Sequence, residues 1–533
     1  MYAACIQRPE QDSGVTLPEL LAAFSLATDL GLGQPMEHML RSWQIAARLA
    51  DHMKISDGQR ESLFFVAMLA WVGCVADAPE VAALFGDDIA FRADSYSVDV
   101  AGPAAFGFFL NHAGLGGSTA HRLRKAAALV FTGGGRVAQG IQSHCLTTSA
   151  LAERLGLGAD VGASLRQFFT RWDGRGVPSG VGGADIAPVV RLFHLADVVE
   201  VHHRAAGVRG AVRVAQARRG RQFAPDVVDS FCAIAADVLP AVADRSDVHE
   251  LVVGEPHLQR PLSTVELDAA LGALADFTDL RSAYRAGHSQ GVATLAAEAA
   301  RAMGLPPADV VVVRRAGLVH DVGLHGVPVT VLDKAGPLST TEWERIRMNA
   351  YYAERVLARP AALARIGAIA ALAHERMDGS GYHRGLTGSA IPRSGRILAA
   401  ACAYRAMVEP RAHRTALPTK QAVAVLRAEV RAGRLDAEAM DAVLAAAGAA
   451  RPKRLSGPAG LTPREVEVLI LISRGARTGD VAGTLGISRK TAGTHIERIY
   501  TKTGASSRAT ATLFALRNGL LDPLDLSGEC PTT

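Results

Sequence analysis

The chain has 533 residues, of which 49% are hydrophobic and 20% charged, with a formal net charge of +5. This composition excludes a wholly disordered chain, and the length exceeds what one hydrophobic core usually serves, so about three domains are expected. Only 5% of the residues are aromatic, and alanine and arginine are abundant, which favours helices. The six cysteines form no CxxC pair, which indicates reduced thiols in a cytoplasmic protein.

The sequence gives no sign of a membrane segment or of an export signal. The longest apolar run, residues 63–76, is shorter than the roughly 20 residues that a bilayer-spanning helix needs. The first residues, MYAACIQRPEQDSG, lack the basic stretch and apolar core of a signal peptide. We therefore expect a cytoplasmic protein with no membrane contact.

An internal repeat divides most of the chain into two halves. Residues 171–197 (RWDGRGVPSGVGGADIAPVVRLFHLAD) match residues 376–402 (RMDGSGYHRGLTGSAIPRSGRILAAAC) at an offset of 205 residues. The matched pairs are Asp173 and Asp378, Gly174 and Gly379, Gly176 and Gly381, and Arg191 and Arg396. Each copy places a glycine-rich loop between two helices. We predict two copies of one helical domain, residues 15–250 and 260–450, here called the first and second copy.

The second copy carries residues that suit a metal centre. His320 and Asp321 end an apolar helix, His288 lies on an earlier helix, and His374 precedes the DGSGY loop. Imidazole and carboxylate groups that come from separate helices are typical of a divalent metal site in a bundle. Such a site can activate water for attack on a phosphate ester.

Residues 275–410 resemble the HD superfamily of metal phosphohydrolases, and within it the HD-GYP subgroup, which hydrolyses cyclic di-GMP. The matching motifs are HSxxVA, HDVGxxGVP, DKAGPLSTTEWERIR, HERMDGSGY and GRI. The resemblance implies a divalent metal (Mn, Fe or Mg) whose ligands here would be His288, His320, Asp321 and His374. If the site is active, Asp321 is also its catalytic residue.

The ligand set is incomplete relative to that family. Asn349, Ala373 and Cys402 stand where the family has further ligands. Tyr284, Leu324 and His383 are further departures from the pattern. The four remaining donors suit one ion, and a two-metal site is not expected. An alternative is that the histidines are buried remnants of an ancestral enzyme.

The first copy retains less of the ligand set. It has Ala70-Trp71 at the His-Asp position and Phe169-Thr170 at the His-Glu position, and keeps only His144 and Asp197. We therefore predict a degenerate HD-like domain with no intact metal site. Because His144 matches Asn349 and Asp197 matches Cys402, a site shared between the copies is the alternative.

The C-terminal part of the chain reads as a four-helix DNA-binding module, residues 461–525, after a linker at 451–460. Residues 451–521 hold twelve Lys and Arg against four Asp and Glu, a net charge of +8. Thr462, Ser488 and Ser506 are expected to cap the first, third and fourth helices, and Gly486 to form the turn before the third. The exposed face of the third helix is cationic and polar, as in a recognition helix.

This module resembles the LuxR-type family of transcription regulators through LTPREVEVL, GISxKTAxTH, IYxK and SRAxA. The resemblance implies that the third helix enters the major groove and that the fourth helix builds a dimer. Gly493 and Glu497 depart from the common pattern. The predicted DNA-binding residues are Ser488, Arg489, Lys490, Thr491, Thr494, His495, Arg498 and Lys502.

Together these features predict an all-α protein with two tandem HD-like domains and a helix-turn-helix domain. The leading hypothesis is a bacterial transcription regulator that binds promoter DNA as a homodimer. The HD-like pair would act as sensor, as dimerisation platform or as both, with a nucleotide as a possible effector. One alternative is an active metal-dependent phosphohydrolase, similar to cyclic dinucleotide phosphodiesterases, fused to a DNA-binding module. Another is a structural pair that only dimerises the DNA-binding module.

Overall fold

The chain forms two compact units, Met1–Ala449 and Ala450–Thr533. A computed structural model describes residues 12–520 except 102, 133–134, 244–251, 253–254, 360, 450–457 and 519. Within these residues, regular structure is helical apart from two short strands, which confirms the all-α fold class. Most of the predicted linker, and residues 521–525 of the predicted DNA-binding domain, lie outside the described residues.

The first copy begins with a short strand and continues through eleven helices. Its elements are β1 (Asp12–Thr16), α1 (Leu17–Gly31), α2 (His38–Met53), α3 (Asp57–Leu69), α4 (Cys74–Phe85), α5 (Asp88–Ser95), α6 (Pro103–His112), α7 (Thr119–Thr132), α8 (Gly135–Arg154), α9 (Ala159–Arg166), α10 (Pro188–Ala217) and α11 (Pro225–Ala243). Helix α10 is interrupted at Ala206 and Gly207, whose backbone angles are not helical.

The second copy repeats this order with fewer helices in the middle. Its elements are β2 (Pro261–Ser263), α12 (Thr264–Asp279), α13 (His288–Ala302), α14 (Pro307–Val319), α15 (Val329–Leu332), α16 (Thr340–Val356), α17 (Ala361–Ala370), α18 (Arg393–Val408), α19 (Thr419–Arg431) and α20 (Ala437–Ala446). Between α14 and α16 it has only a 3₁₀ turn and α15, whereas the first copy places α4 to α7 there. The first copy therefore carries an insertion of helices.

The two copies meet through equivalent elements. Strands β1 and β2 pair antiparallel, and each leads into a helix that begins with a capping box. Thr16 and Glu19 form one box, and Ser263 and Glu266 form the other. In such a box the cap hydroxyl and the acidic side chain each accept a hydrogen bond from a backbone N–H that would otherwise lack a partner. The strands thus fix the start of both copies side by side.

The glycines of the repeated loop are required by its backbone. Gly174 and Gly379 have φ angles of 71° and 82°, which glycine adopts without steric cost. A Cβ atom on Gly176 would collide with the backbone of Phe169, and one on Gly381 with that of Glu375. The loop sequence therefore persists in both copies for its geometry, whatever chemistry each copy supports.

The DNA-binding unit has the four predicted helices. They are α21 (Pro463–Ser473), α22 (Thr478–Leu485), α23 (Arg489–Thr503) and α24 (Arg508–Arg517). Leu469, Val481 and Ile499 are fully buried between them. Thr462 and Ser488 cap α21 and α23 as expected, and Gly486 has a φ of 63°. The prediction of Ser506 as the cap of α24 was wrong, since Ser507 occupies that position.

No single helix of the described residues is long and apolar enough to cross a membrane. Helices α3 and α4 pass the same test of length and composition only when taken together as a bent pair. The apolar side chains from Leu63 to Leu69 in this pair are buried in the core of the first copy.

Candidate functional site

The four predicted metal ligands of the second copy come together around Asp321. Helix α13 begins at His288, and His320 and Asp321 follow directly after α14. The Nε2 atoms of His288, His320 and His374 lie 3.6, 3.2 and 3.8 Å from the carboxylate oxygens of Asp321. His288, His320 and Asp321 are at most 1% exposed, so the cluster is a buried site at the ends of separate helices.

The imidazoles of this cluster are held in the neutral form that binds metals. Burial and neighbouring cationic side chains lower the pKa of His320 and of His374 to about 3. Burial, reinforced by Arg285, lowers the pKa of His288 well below its usual value. The Nδ1–H of His320 donates to the carbonyl of Gly317 at 2.9 Å. That bond leaves the Nε2 lone pair of His320 directed at the cluster.

Arg285 was not predicted from the sequence, yet it is part of this cluster. Its guanidinium forms an ion pair with the Oδ2 atom of Asp321. Asn349 donates from Nδ2 to the Oδ1 atom of the same carboxylate at 2.9 Å. On the outer side, the Nδ1 atom of His288 lies 2.6 Å from Glu409 Oε2. Oδ1 of Asp321 therefore accepts a hydrogen bond, while the buried Oδ2 faces Arg285 and accepts none from the described residues.

The donor set fits one divalent ion and does not fit two. Candidate ligand atoms of His288, His320 and Cys402 lie within 4.8 Å of one another, and Asp321 and His374 border them. Asn349 presents an N–H to Asp321, and Ala373 has no donor atom, so the second half of a two-metal site is missing. Burial raises the pKa of the Cys402 thiol, which favours its protonated form. A bound ion would also have to displace Arg285 from Asp321.

An open cleft of about 460 Å³ adjoins the cluster on the side of His374. The ring of Tyr382 stacks on that of His374 at a centroid distance of 4.9 Å. Trp343, Arg347 and Arg376 also line the cleft. Aromatic faces can stack with bases, and guanidinium groups form bidentate hydrogen bonds with phosphates. The side chains of this wall are therefore of the types that bind a nucleotide.

The equivalent region of the first copy has different side chains at the positions of the cluster. Trp71 and Phe169 fill the places of Asp321 and His374, and their rings pack edge to face 5.4 Å apart. The prediction that only His144 and Asp197 survive was wrong, because His38 begins α2 just as His288 begins α13. The residues before them, Glu37 and Gly287, share φ angles of 74° and 72°.

His38 is an imidazolium in an ion cluster. Its ring nitrogens lie 2.5 Å from Glu200 Oε2 and 3.0 Å from Asp197 Oδ1. Burial opposes the charged form, but the hydrogen bonds to Asp197 and Glu200 outweigh it and raise the pKa of His38 to about 9. Since both nitrogens of a charged imidazole carry protons, His38 cannot serve as a metal ligand in this state.

His144 lies in the first copy and does not complete the site of the second. Its Nδ1 atom lies 3.2 Å from Asp77 Oδ2 and its Nε2 atom 2.7 Å from the carbonyl oxygen of Ala70. Asp197 is engaged by His38, Tyr96 and Trp71. Both nitrogens of His144 face acceptors of the first copy, and candidate ligand atoms of Cys74, Asp77 and His144 lie within 4.8 Å of one another.

The structure places most of the predicted DNA-binding residues on one accessible face of α23. Ser488, Arg489, Lys490, Thr491, Thr494 and Arg498 are exposed, and His495 is half-buried. Lys502 differs, because its ammonium group lies 2.6 Å from the carboxylate of Glu465 and 3.1 Å from the carbonyl oxygen of Gly460. Glu465 is 2% exposed, so Lys502 pairs with a buried carboxylate of its own unit, and its contact with DNA stays a prediction.

Comparisons with known protein families agree with these two kinds of site. Residues 272–439 match the HD domain, and residues 459–515 match the bacterial regulatory proteins of the luxR family. The chain thus joins an HD-GYP-like domain to a LuxR-type DNA-binding domain.

Individual relatives match each part. The chain is 28% identical over 414 residues to 3′3′-cGAMP-specific phosphodiesterase 3 of Vibrio cholerae, which covers 77% of this chain and 90% of that protein. The crystal structure of a cyclic GMP-AMP specific phosphodiesterase of V. cholerae superposes with a TM-score of 0.58 at 25% identity, covering 82% of this chain and 98% of that one. The transcriptional regulatory protein YxjL of Bacillus subtilis is 43% identical over 60 residues, 11% of this chain and 28% of that protein.

Proposed function

We propose that this protein is a cytoplasmic bacterial transcription regulator that binds promoter DNA as a homodimer. The observation that carries the proposal is the exposed face of α23, where Arg489, Lys490 and Arg498 surround the hydroxyl groups of Thr491 and Thr494. Cations on such a face bind phosphates and fix the helix on the duplex, while polar side chains read base edges in the major groove.

The HD-like pair acts in this proposal as the sensor of a cyclic dinucleotide. The cleft beside His374 supplies an exposed Trp343 and the guanidinium groups of Arg347 and Arg376. Several relatives are named as 3′3′-cGAMP-specific or cyclic di-GMP phosphodiesterases. The pairing of Arg285 with Asp321 and the loss of three ligand positions support binding without turnover. The nucleotide would regulate DNA binding if the two states of the protein bind it with different affinity.

Titration of the full chain with 3′3′-cGAMP and with cyclic di-GMP tests the sensor. We expect Arg347→Ala to weaken binding about tenfold, as the loss of a charge-assisted phosphate contact does. Arg355→Ala, an exposed arginine on the same helix α16 that does not line the cleft, is the matched control and should bind like the wild type. If Arg347→Ala and Arg355→Ala bind the nucleotides with equal affinity, or if the wild type does not bind them, the cleft is not the effector site.

A second candidate function is metal-dependent phosphodiesterase activity. It is supported by the convergence of His288, His320, Asp321 and His374 and by the names of the relatives. A divalent ion held by these residues would supply Lewis acidity and an activated water. Asp321 would have to exchange its pairing with Arg285 for the metal, and the neutral imidazoles would act as ligands without prior loss of a proton.

Incubation of both cyclic dinucleotides with the full chain and Mn²⁺ decides this candidate. If the protein is an enzyme, linear products form with the wild type and disappear with Asp321→Ala. Absence of product from the wild type leaves the regulator without turnover as the function.

A further inference from the structure

The first copy contains a cavity of about 570 Å³, a volume typical of small-molecule sites. Trp71, Phe169 and Asp197 line it, and these residues stand where the second copy has Asp321, His374 and Cys402. The inserted helices α4 to α7, together with α8, form its other wall. The place of the lost metal site has thus become a pocket of different chemistry, distinct from the cleft proposed for the nucleotide.

Most of the wall of this cavity is apolar and aromatic. The rings of Phe85 and Phe91 stack at a centroid distance of 4.0 Å with an interplanar angle of 3°, and Phe109 packs beside Phe85 at 5.9 Å. Trp71 and Phe169, which also line the cavity, pack on each other. Aromatic rings in such contact are well-ordered and favour a flat apolar ligand, and they offer few hydrogen-bond partners to a sugar or a phosphodiester.

Among the described residues, no carboxylate lies within ion-pair distance of Arg218, whose side chain lines this cavity. Arg218 is 6% exposed and donates to the carbonyl oxygen of Tyr96 at 3.1 Å and to Gln222 Oε1 at 3.0 Å, both uncharged acceptors. Asp99, its acidic neighbour, already pairs with Arg171 at 2.6 Å. The exposed Arg175 also lines the cavity.

Three further carboxylates line the wall: Asp77 and Asp197 have charged partners, and Glu80 is exposed to solvent. Asp77 pairs with Arg92 at 2.5 Å and with His144 at 3.2 Å, and Asp197 pairs with His38 at 3.0 Å. A buried guanidinium with only neutral acceptors is costly unless an anion joins it. The cavity therefore has the layout of a site for an anion with an apolar body.

We propose that this cavity binds an organic anion with a flat apolar body, whose carboxylate or sulfonate group pairs with Arg218 and Arg175. The proposal goes beyond the function proposed above, since the ligand class differs from a cyclic dinucleotide and the site lies in the first copy. Binding here also requires neither DNA nor a metal.

Two fluorescent probes with the same aromatic framework test the proposal on the full chain. The anionic probe is 1-anilinonaphthalene-8-sulfonate and the neutral probe is N-phenyl-1-naphthylamine, which lacks the sulfonate. We expect one molecule of the anionic probe to bind per chain, with at least tenfold higher affinity than the neutral probe. Equal affinities, or no saturable binding of the anionic probe, would overturn the proposal.

Variants locate the probe and assign the charge contribution. Arg218→Gln should weaken the anionic probe about tenfold and leave the neutral probe unchanged, and Arg175→Gln should do the same to a smaller degree without disturbing a buried group. Val98→Phe, which fills the cavity, should weaken both probes. Arg213→Gln, an exposed arginine of α10 outside the cavity, is the control. If Val98→Phe and Arg175→Gln both bind like the control, the probe lies elsewhere and the proposal fails.

Discussion

Arg285 is, at the scale of single residues, the side chain that a metal ion at Asp321 would have to displace. Its guanidinium lies against Asp321, the carboxylate that three imidazoles surround. A fixed positive charge at that point repels a divalent cation and occupies one of its ligands. Oδ1 of Asp321 accepts a hydrogen bond from Asn349, whereas Oδ2 is paired with Arg285 by charge and accepts no hydrogen bond within the described part of the chain.

We predict that Arg285→Ala increases the affinity of the full chain for Mn²⁺ at least tenfold, since it frees Asp321 and removes the competing charge. Isothermal titration and metal analysis of the dialysed protein measure this directly. Arg314→Ala, which removes an arginine paired with Asp268 at the surface of the second copy, is the control. An unchanged affinity in Arg285→Ala would mean that the missing ligand positions, and not Arg285, prevent metal binding.

Motif reading predicted the ligands of the second copy but missed the residues that partner them. His288, His320, Asp321 and His374 belong to short motifs, and the structure brings all four together. Arg285 belongs to none of these motifs, and its pairing depends on the direction of its own side chain towards Asp321. His38 was missed for another reason. The loop repeat has an offset of 205 residues, but the inserted helices make the offset 250 before α4, where Ala70-Trp71 matches His320-Asp321 and His38 matches His288.

Helix α23 shows, at the scale of elements, how far capping and periodicity specify structure. Its start at Ser488 and its end before Gly504 were both predictable, since a hydroxyl cap and a glycine in the left-handed region mark them. The face turned to the core was also predictable from spacing. The ion pair between Lys502 and Glu465 was not, because it joins two helices whose packing the sequence pattern does not define.

We predict that two lysines of α23 affect different properties, Lys490 the binding of DNA and Lys502 the stability of the unit. Lys490→Ala should weaken DNA binding and lower the slope of affinity against salt by about one, as the loss of a phosphate contact does, with an unchanged melting temperature. Lys502→Ala should instead lower the melting temperature of the DNA-binding unit, because Glu465 would keep a buried, unpaired carboxylate. Gel-shift titrations at several salt concentrations and thermal unfolding separate the two effects. If both variants lower the salt dependence of DNA affinity equally, Lys502 also contacts DNA.

The joining of the two copies is a property of the whole first unit. The repeat in the sequence indicated two similar domains, but strands of five and three residues leave no periodic signal, so their pairing could not be predicted. The buried ion pairs between the copies could not be predicted from the sequence either. Arg281 is 1% exposed and reaches Asp88 at 3.0 Å, which also accepts from Arg92 and from the backbone N–H of Val329.

Asp88 therefore ties both copies to one buried carboxylate, and its loss should be costly. We predict that Asp88→Ala destabilises the first unit by about 3–5 kcal/mol, since it leaves two buried guanidinium groups without their shared partner. Arg345→Ala removes the exposed pair with Asp87, which also bridges the copies, and should cost less than about 1 kcal/mol. Denaturant unfolding followed by circular dichroism measures both. If the two variants lose equal stability, the buried network contributes no more to joining the copies than a surface ion pair, and the strands and apolar packing must hold them together.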